Sequence, residues 1–329
     1  MLTDGLYDPF RDFVFPADAC FLTGKKVDPS KESITVFPAW LMERYGLQEK
    51  PFTMLGEHAV KYGELRLPCA QDIMVDAIVP LEAEIREAFT EGYVAVKKLN
   101  ERRLFQWMAR MVYGILYNDL VYAIEQHTAR QKTFKLSAYL TKRLRNLHAM
   151  LQSLVVPMRF EPVNPWSIAV VKVNYSKDIF NYKDETKNLN FSLAMHDFGI
   201  IACLQDNGEN LRHHERLVTR IGDTALHAIQ FEELWCHFLY SNYLMTSDHD
   251  YSFTKDGNTI ITHTVTAASS PVSFKPWEDK MFAQVLANYW KPWGLTMSDI
   301  YQFPNSPVSY LIDEYTNELI CAENISLQS

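Results

Sequence analysis

The stretch that decides how this chain reads is CFLTGKKVDPSKESITVFPAW, Cys20 to Trp40, answered beyond a loop by LPCAQDI, Leu67 to Ile73. Gly24, Pro29, Pro38, Gly46, Pro51, Gly56 and Gly63 punctuate the text between Cys20 and Leu67. Breakers at such short intervals predict an irregular, turn-rich start with room for one short helix over Ala39 to Tyr45. Working outward, Met74, Ile78, Leu81, Ile85 and Phe89 recur at three- and four-residue steps with acids between them, the pattern of an amphipathic helix closed by Gly92. Pro80 either kinks this helix or marks where it properly begins. Leu99 to Ile124 is apolar almost all round and reads as a core helix. Leu136 to Leu154 carries leucines on one side, with Lys135, Lys142, Arg145 and Asn146 forming an expected exposed stripe on the other.

Pro157, Pro162 and Pro165 mark a break, after which the periodicity changes. Ser167 to Tyr175, Leu189 to Met195 and Gly199 to Leu204 read as strands of a meander with His196-Asp197 at one tight turn. Helices are expected near His214 to Ile221, Gln230 to Tyr243 and Trp277 to Trp290. Tyr251 to Val265 reads as a hairpin, because Asp256-Gly257 supplies the positive φ angles that a primed turn needs. The fold class is therefore α+β: an irregular N-terminal region and long helices, then an antiparallel sheet with helices. The expected division is into residues 1–160 and residues 161–329.

The chain has 329 residues, 47% of them hydrophobic, enough for one large core or two moderate ones. No stretch approaches the ~18 consecutive apolar residues of a membrane-crossing helix, and the N-terminal MLTDGLYDPFRDF does not read as a leader. Five scattered cysteines favour reduced thiols, hence a cytoplasmic setting. The net charge of -8 is uneven: residues 1–96 sum to -7, residues 97–160 to +9 and residues 161–329 to -10. Between Glu125 and Glu161 there is no acid, while Arg130, Lys132, Lys135, Lys142, Arg143, Arg145 and Arg159 all fall there. Such an island either attracts phosphates or an acidic protein surface, or is neutralised by the acidic segments of its own chain.

The N-terminal letters resemble the zinc-supported HNH endonuclease type, the treble-clef or ββα-metal nuclease. That family runs Cys-x-x-Cys, an acidic-His pair before an apolar-apolar-Pro-x-Trp segment, Cys-x-x-Cys-Asn, a helix with a Leu-Glu pair, and a helix with a central Trp. Here Cys20, Val36, Phe37, Pro38, Trp40, Cys69, Leu81, Glu82 and Trp107 match. Thr23 stands for the second Cys, Ile34-Thr35 for the acidic-His pair, Asp72 for the fourth Cys and Ile73 for the Asn. The resemblance covers about residues 18–125, roughly a third of the chain, and the surviving letters are structural ones. It implies a scaffold from which the metal and catalytic ligands are gone, leaving a vestigial Cys20, Cys69 and Asp72. A structural zinc needs four ligands of thiolate or imidazole kind, and Thr35 can neither activate water nor hold a metal. The overall texture also resembles a set of bacterial proteins, which adds a fold and no activity.

The expected function is thus a non-catalytic binding protein with no cofactor and no membrane, contacting nucleic acid or an acidic protein partner through Arg130, Lys132, Lys135, Lys142, Arg143 and Arg145. The alternative is a hydrolase or nuclease-like enzyme with a site in the C-terminal half, around His196, Glu233 and His237. A remodelled metal site would use Cys20, Cys69 and Asp72 with a distant ligand such as His58. His213-His214-Glu215 reads as an exposed helix start. His127 and His148 would add to the basic island if protonated, although His148 equally fits a core-edge residue. Tyr289, Trp290, Trp293 and Tyr301 could stack on a ligand, but at helical spacing they read more readily as core. No glycine-rich phosphate loop or nucleophile-elbow motif occurs.

Overall fold

The structure, a computed structural model, describes residues 5–56, 58–175, 179–246, 250–265 and 273–327, so the very start of the N-terminal segment falls outside it. In chain order the elements are β1 (Ser33–Thr35), α1 (Ala39–Tyr45), β2 (Pro51–Thr53), β3 (Ala59–Lys61), β4 (Arg66–Pro68), α2 (Gln71–Ile73), α3 (Val79–Glu91), α4 (Tyr93–Lys98), α5 (Glu101–Ala129) and α6 (Ala138–Leu151). They continue with β5 (Met158–Glu161), β6 (Ser167–Lys172), β7 (Phe180–Glu185), β8 (Asn190–Met195), β9 (Phe198–Cys203), α7 (Glu209–His213), α8 (Glu215–Ile221) and α9 (Ala228–Leu244). Last come β10 (Asp250–Asp256), β11 (Thr259–Val265), α10 (Asp279–Tyr289) and α11 (Met297–Ile300). The class is α+β.

Two compact units share these elements. The first comprises residues 1–90, 99–163 and 250–265, and the second residues 91–98, 164–249 and 266–329. The division falls close to the Pro162–Pro165 break, but neither unit is a contiguous half. The β10–β11 hairpin joins the first unit because β11 runs parallel to β5, Ile260 opposite Met158, a pairing that periodicity does not reveal.

In the first unit α5 is the central element, capped by Asn100, whose side chain accepts a hydrogen bond from Arg102 N at 2.9 Å. From Leu104 to Leu120 it is buried almost all round. A side chain at Gly114 would drive its Cβ within 2.6 Å of Val36, so this glycine is what lets the helix lie against β1 and β4. Those strands pair antiparallel with Ser33 opposite Pro68 and Thr35 opposite Arg66. Ahead of α3, residues Met74–Ile78 form a π turn in which Val79 N donates five residues back to Met74 O. Pro80 has no N–H for Asp76 O, so the turn before it widens rather than kinking the helix proper.

The second unit is built on the antiparallel sheet β6-β9-β8-β7 with α9 against it. Its core includes Ile201, Phe231, Trp235, Leu286 and Trp290. His196-Asp197 makes the β8–β9 turn, and Gly257, at φ 58°, makes the β10–β11 turn.

Candidate functional site

The Cys20 region folds as a tight knuckle: Cys20 N donates to Lys25 O at 2.7 Å and Gly24 N to Cys20 O at 2.8 Å. Phe21 N donates to Pro68 O (2.8 Å) and Cys69 N to Glu32 O (3.0 Å), which brings the two quoted stretches together. The thiols of Cys20 and Cys69 are fully buried and hydrogen-bonded to one another. Donation from Cys69 holds Cys20 down at about 5 against the opposing effect of burial, while the same bond and burial push Cys69 up. On the surface beside them Lys25 Nζ lies 2.5 Å from Asp72, taking up the carboxylate.

His58 stacks on Tyr122, with ring centroids 3.8 Å apart. Among the described residues no three His, Cys, Asp or Glu groups converge to hold a metal ion, and the residues at the knuckle do not fit zinc. What holds the knuckle is a thiol hydrogen bond, an ion pair and, from α6, the buried His148, whose Nε2 donates to Phe21 O at 2.6 Å. Desolvation pushes His148 down to about 4, so it is neutral at pH 7 and adds nothing to the basic island.

Next to the knuckle opens a cavity of about 480 Å³. Ile34 and Thr35 of β1, Trp40 of α1 and Met74 and Ile78 of the π turn form its walls. Thr35, at the position where the resemblance puts the water-activating histidine, is part of this lining. Glu82 is the one carboxylate there, and it is fully engaged: it accepts from Trp40 Nε1 (3.0 Å), Trp107 Nε1 (3.4 Å) and Arg110 Nη2. Arg110, itself 1% exposed, also donates through Nη1 to Thr35 O and Val36 O, each at 3.1 Å, and its Nε is buried with no partner. Arg66 of β4 and Arg86 of α3 complete the lining. Arg66 is steadied by Nε donation to Ser33 Oγ at 2.9 Å, and among the described residues neither arginine has an acidic partner. Arg66 and Arg86 lie in the acidic first segment, so charge counting along the chain passes over them.

The six basic residues expected to form a binding surface divide into two groups. Lys142 pairs with Asp250 at 3.1 Å, and Arg145 pairs with the buried Asp8. Arg143 is buried, its guanidinium 5.6 Å from the ring centre of Tyr139, and Asn146 is buried as well. A stripe of free charges along α6 is therefore not formed: Lys142 and Arg145 stay partly exposed, but acids of β10 and the N-terminal segment pair with them. Lys135 precedes α6 and is exposed together with Lys132 and with Arg130 at the C-terminal end of α5.

In the second unit Glu233 and His237 come within 3.9 Å, but the Glu233 carboxylate accepts from Ser309 Oγ (2.6 Å), Tyr310 N (2.7 Å) and Leu311 N (3.1 Å). Burial still pushes it up to about 7. His237 stacks on Trp277, and burial pushes it down to about 4. His196 sits at its turn, 3.3 Å from Asp197, and among the described residues no hydrogen bond or ring contact joins it to Glu233 or His237. His214, expected on an exposed helix start, is instead buried, with Nε2 2.9 Å from Ser241 Oγ, because α9 packs over it. Trp290 is core, edge-on to Tyr310. Among the described residues no helix is long and apolar enough to cross a membrane. No family model, curated protein or solved structure matches this chain.

Proposed function

We propose that this chain is a non-catalytic binding protein on a degenerate HNH-like scaffold, and that it contacts nucleic-acid phosphates or an acidic protein surface through Arg130, Lys132 and Lys135. The observation that supports this surface is that these three cations are exposed and, among the described residues, have no acidic partner, whereas Lys142, Arg145 and Arg159 do. The negative end of α5 favours cations at this position by only about 0.3–1 kcal/mol, screened by salt, and leaves them able to meet an anionic partner. The non-catalytic part of the reading rests on the cavity, whose lining offers Thr35 and one engaged carboxylate, with no imidazole or thiol.

The surface is tested by fluorescence anisotropy with labelled RNA and DNA at several salt concentrations, and with an acidic polypeptide. Reversing Arg130, Lys132 and Lys135 to Glu should weaken binding and flatten the logarithmic salt dependence by about 0.9 per lost phosphate contact on duplex DNA. Lys142→Glu, which disturbs an internal pair, should leave that slope unchanged. Unaltered binding by the triple variant would remove the surface. The scaffold reading is tested separately: Thr23→Cys with Asp72→Cys should complete four thiolates and bind one zinc ion, seen as a tetrahedral thiolate spectrum with cobalt. Failure of the folded double variant to bind would count against the treble-clef geometry.

A further inference from the structure

We infer that the cavity bounded by Trp40, Arg66, Arg86 and Arg110 binds a small phosphate monoester carrying an aromatic body. Its volume of about 480 Å³ lies within the range of small-molecule sites. Charge sets the head group. Of the three guanidinium groups in the lining, Arg110 is neutralised by Glu82, and Arg66 and Arg86 are not matched by any acid of the described residues. Two such charges suit the dianion of a phosphate monoester, which carries about -1.5 to -2 at pH 7, better than a carboxylate, and they repel a metal cation. Arg66 is already oriented by its bonds to Ser33 Oγ and Ser33 O, so less side-chain freedom is lost when an anion arrives. The rest of the lining decides the body of the ligand. Trp40 with Ile34, Ile78 and Val79 gives an apolar surface that suits a ligand with a planar ring far better than a bare sugar phosphate or a second phosphate.

This inference goes beyond the proposed function and uses different residues, so the two fail separately. Isothermal titration of the full chain with phenyl phosphate and adenosine 5′-monophosphate should show saturable one-to-one binding. Adenosine and benzoate should bind at least about tenfold more weakly, since a hydrogen bond to a charged group contributes an amount equivalent to roughly tenfold to hundredfold in affinity. Arg66→Gln and Arg86→Gln, both exposed positions, should each weaken the phosphate ligands by about that factor with an unchanged thermal midpoint. Ala83→Trp, which fills the cavity and keeps every charge, should abolish binding, while the Arg130, Lys132 and Lys135 reversals should not affect it. Equal affinity for adenosine or benzoate, unchanged affinity in either glutamine variant or in Ala83→Trp, or no saturable binding at all would overturn the inference.

Discussion

Two groups of cations in the first unit differ in what faces them. Along α6 and β5 the positive charges meet acids from distant parts of the chain: Arg145 meets Asp8, Lys142 meets Asp250, and Arg159 meets Asp256. Around the cavity Arg110 has its acid, and Arg66 and Arg86 have none among the described residues. The first group ties the N-terminal segment and the β10–β11 hairpin to the helices, and the second is left to act on something else. A cation is available for binding when the fold brings no carboxylate to it, whatever the density of charge around it in the sequence.

The sharpest way to break this comparison is Arg110→Met. It leaves Glu82 with two indole N–H groups and no countercharge, and should cost about 3–5 kcal/mol in denaturant unfolding. Adding Glu82→Gln, which keeps an acceptor for the indoles, should recover most of that loss. A single variant within 1 kcal/mol of the parent would mean that Arg110 belongs with the unpaired cations. Arg145→Met should cost somewhat less, about 2–4 kcal/mol, because Arg145 is partly exposed although Asp8 is not.

His148 offers a pH test of the same division. Its pKa is held down at about 4 in the fold against 6.5 for the ordinary group, so the unfolded chain binds the extra proton first on acidification. Its contribution to stability is complete above about pH 6.5 and falls by about 1.4 kcal/mol per unit as the pH drops from there towards 4. Other buried histidines such as His237 add to the slope, and His148→Gln should flatten it by one proton's worth in denaturation midpoints measured across that range. The smallest effects are expected for Arg66→Gln and Arg86→Gln, within about 0.5 kcal/mol, and for Lys142→Ala, below about 1 kcal/mol and decreasing with added salt.

Local chemistry made much of the fold legible. The Asp256-Gly257 turn, the His196-Asp197 turn and the Ala39–Tyr45 helix each follow from a few adjacent residues. β7 does not, because it is an edge strand of half-buried residues, FNYKDE, with no alternation to detect. The helical wheel gave the angular position of Lys142 and Arg145 on α6 but not what lies opposite. Asp8 and Asp250 are each more than a hundred residues away from their partners on α6 and reach that face only through tertiary pairing. At the candidate site Glu82, Trp40 and Trp107 stood out in the sequence only as separate letters of the pattern, without the hydrogen bonds that join them. Arg66 and Arg86 were hidden by the acids around them in the sequence.

The length of α5 sets the distance between the cavity and the exposed cations beyond its C-terminal end. Arg110, at the cavity, and Arg130, at the far end, are twenty residues apart on one helix, which at 1.5 Å per residue is about 30 Å. Because much of α5 is buried between these points, an oligonucleotide that reaches from the cavity to Arg130 has to pass over the surface, at least about nine nucleotide steps of 3.4 Å. A step in affinity as an oligonucleotide passes that length would show that the two regions read one ligand. A smooth increase would show that the helix separates two independent ligands.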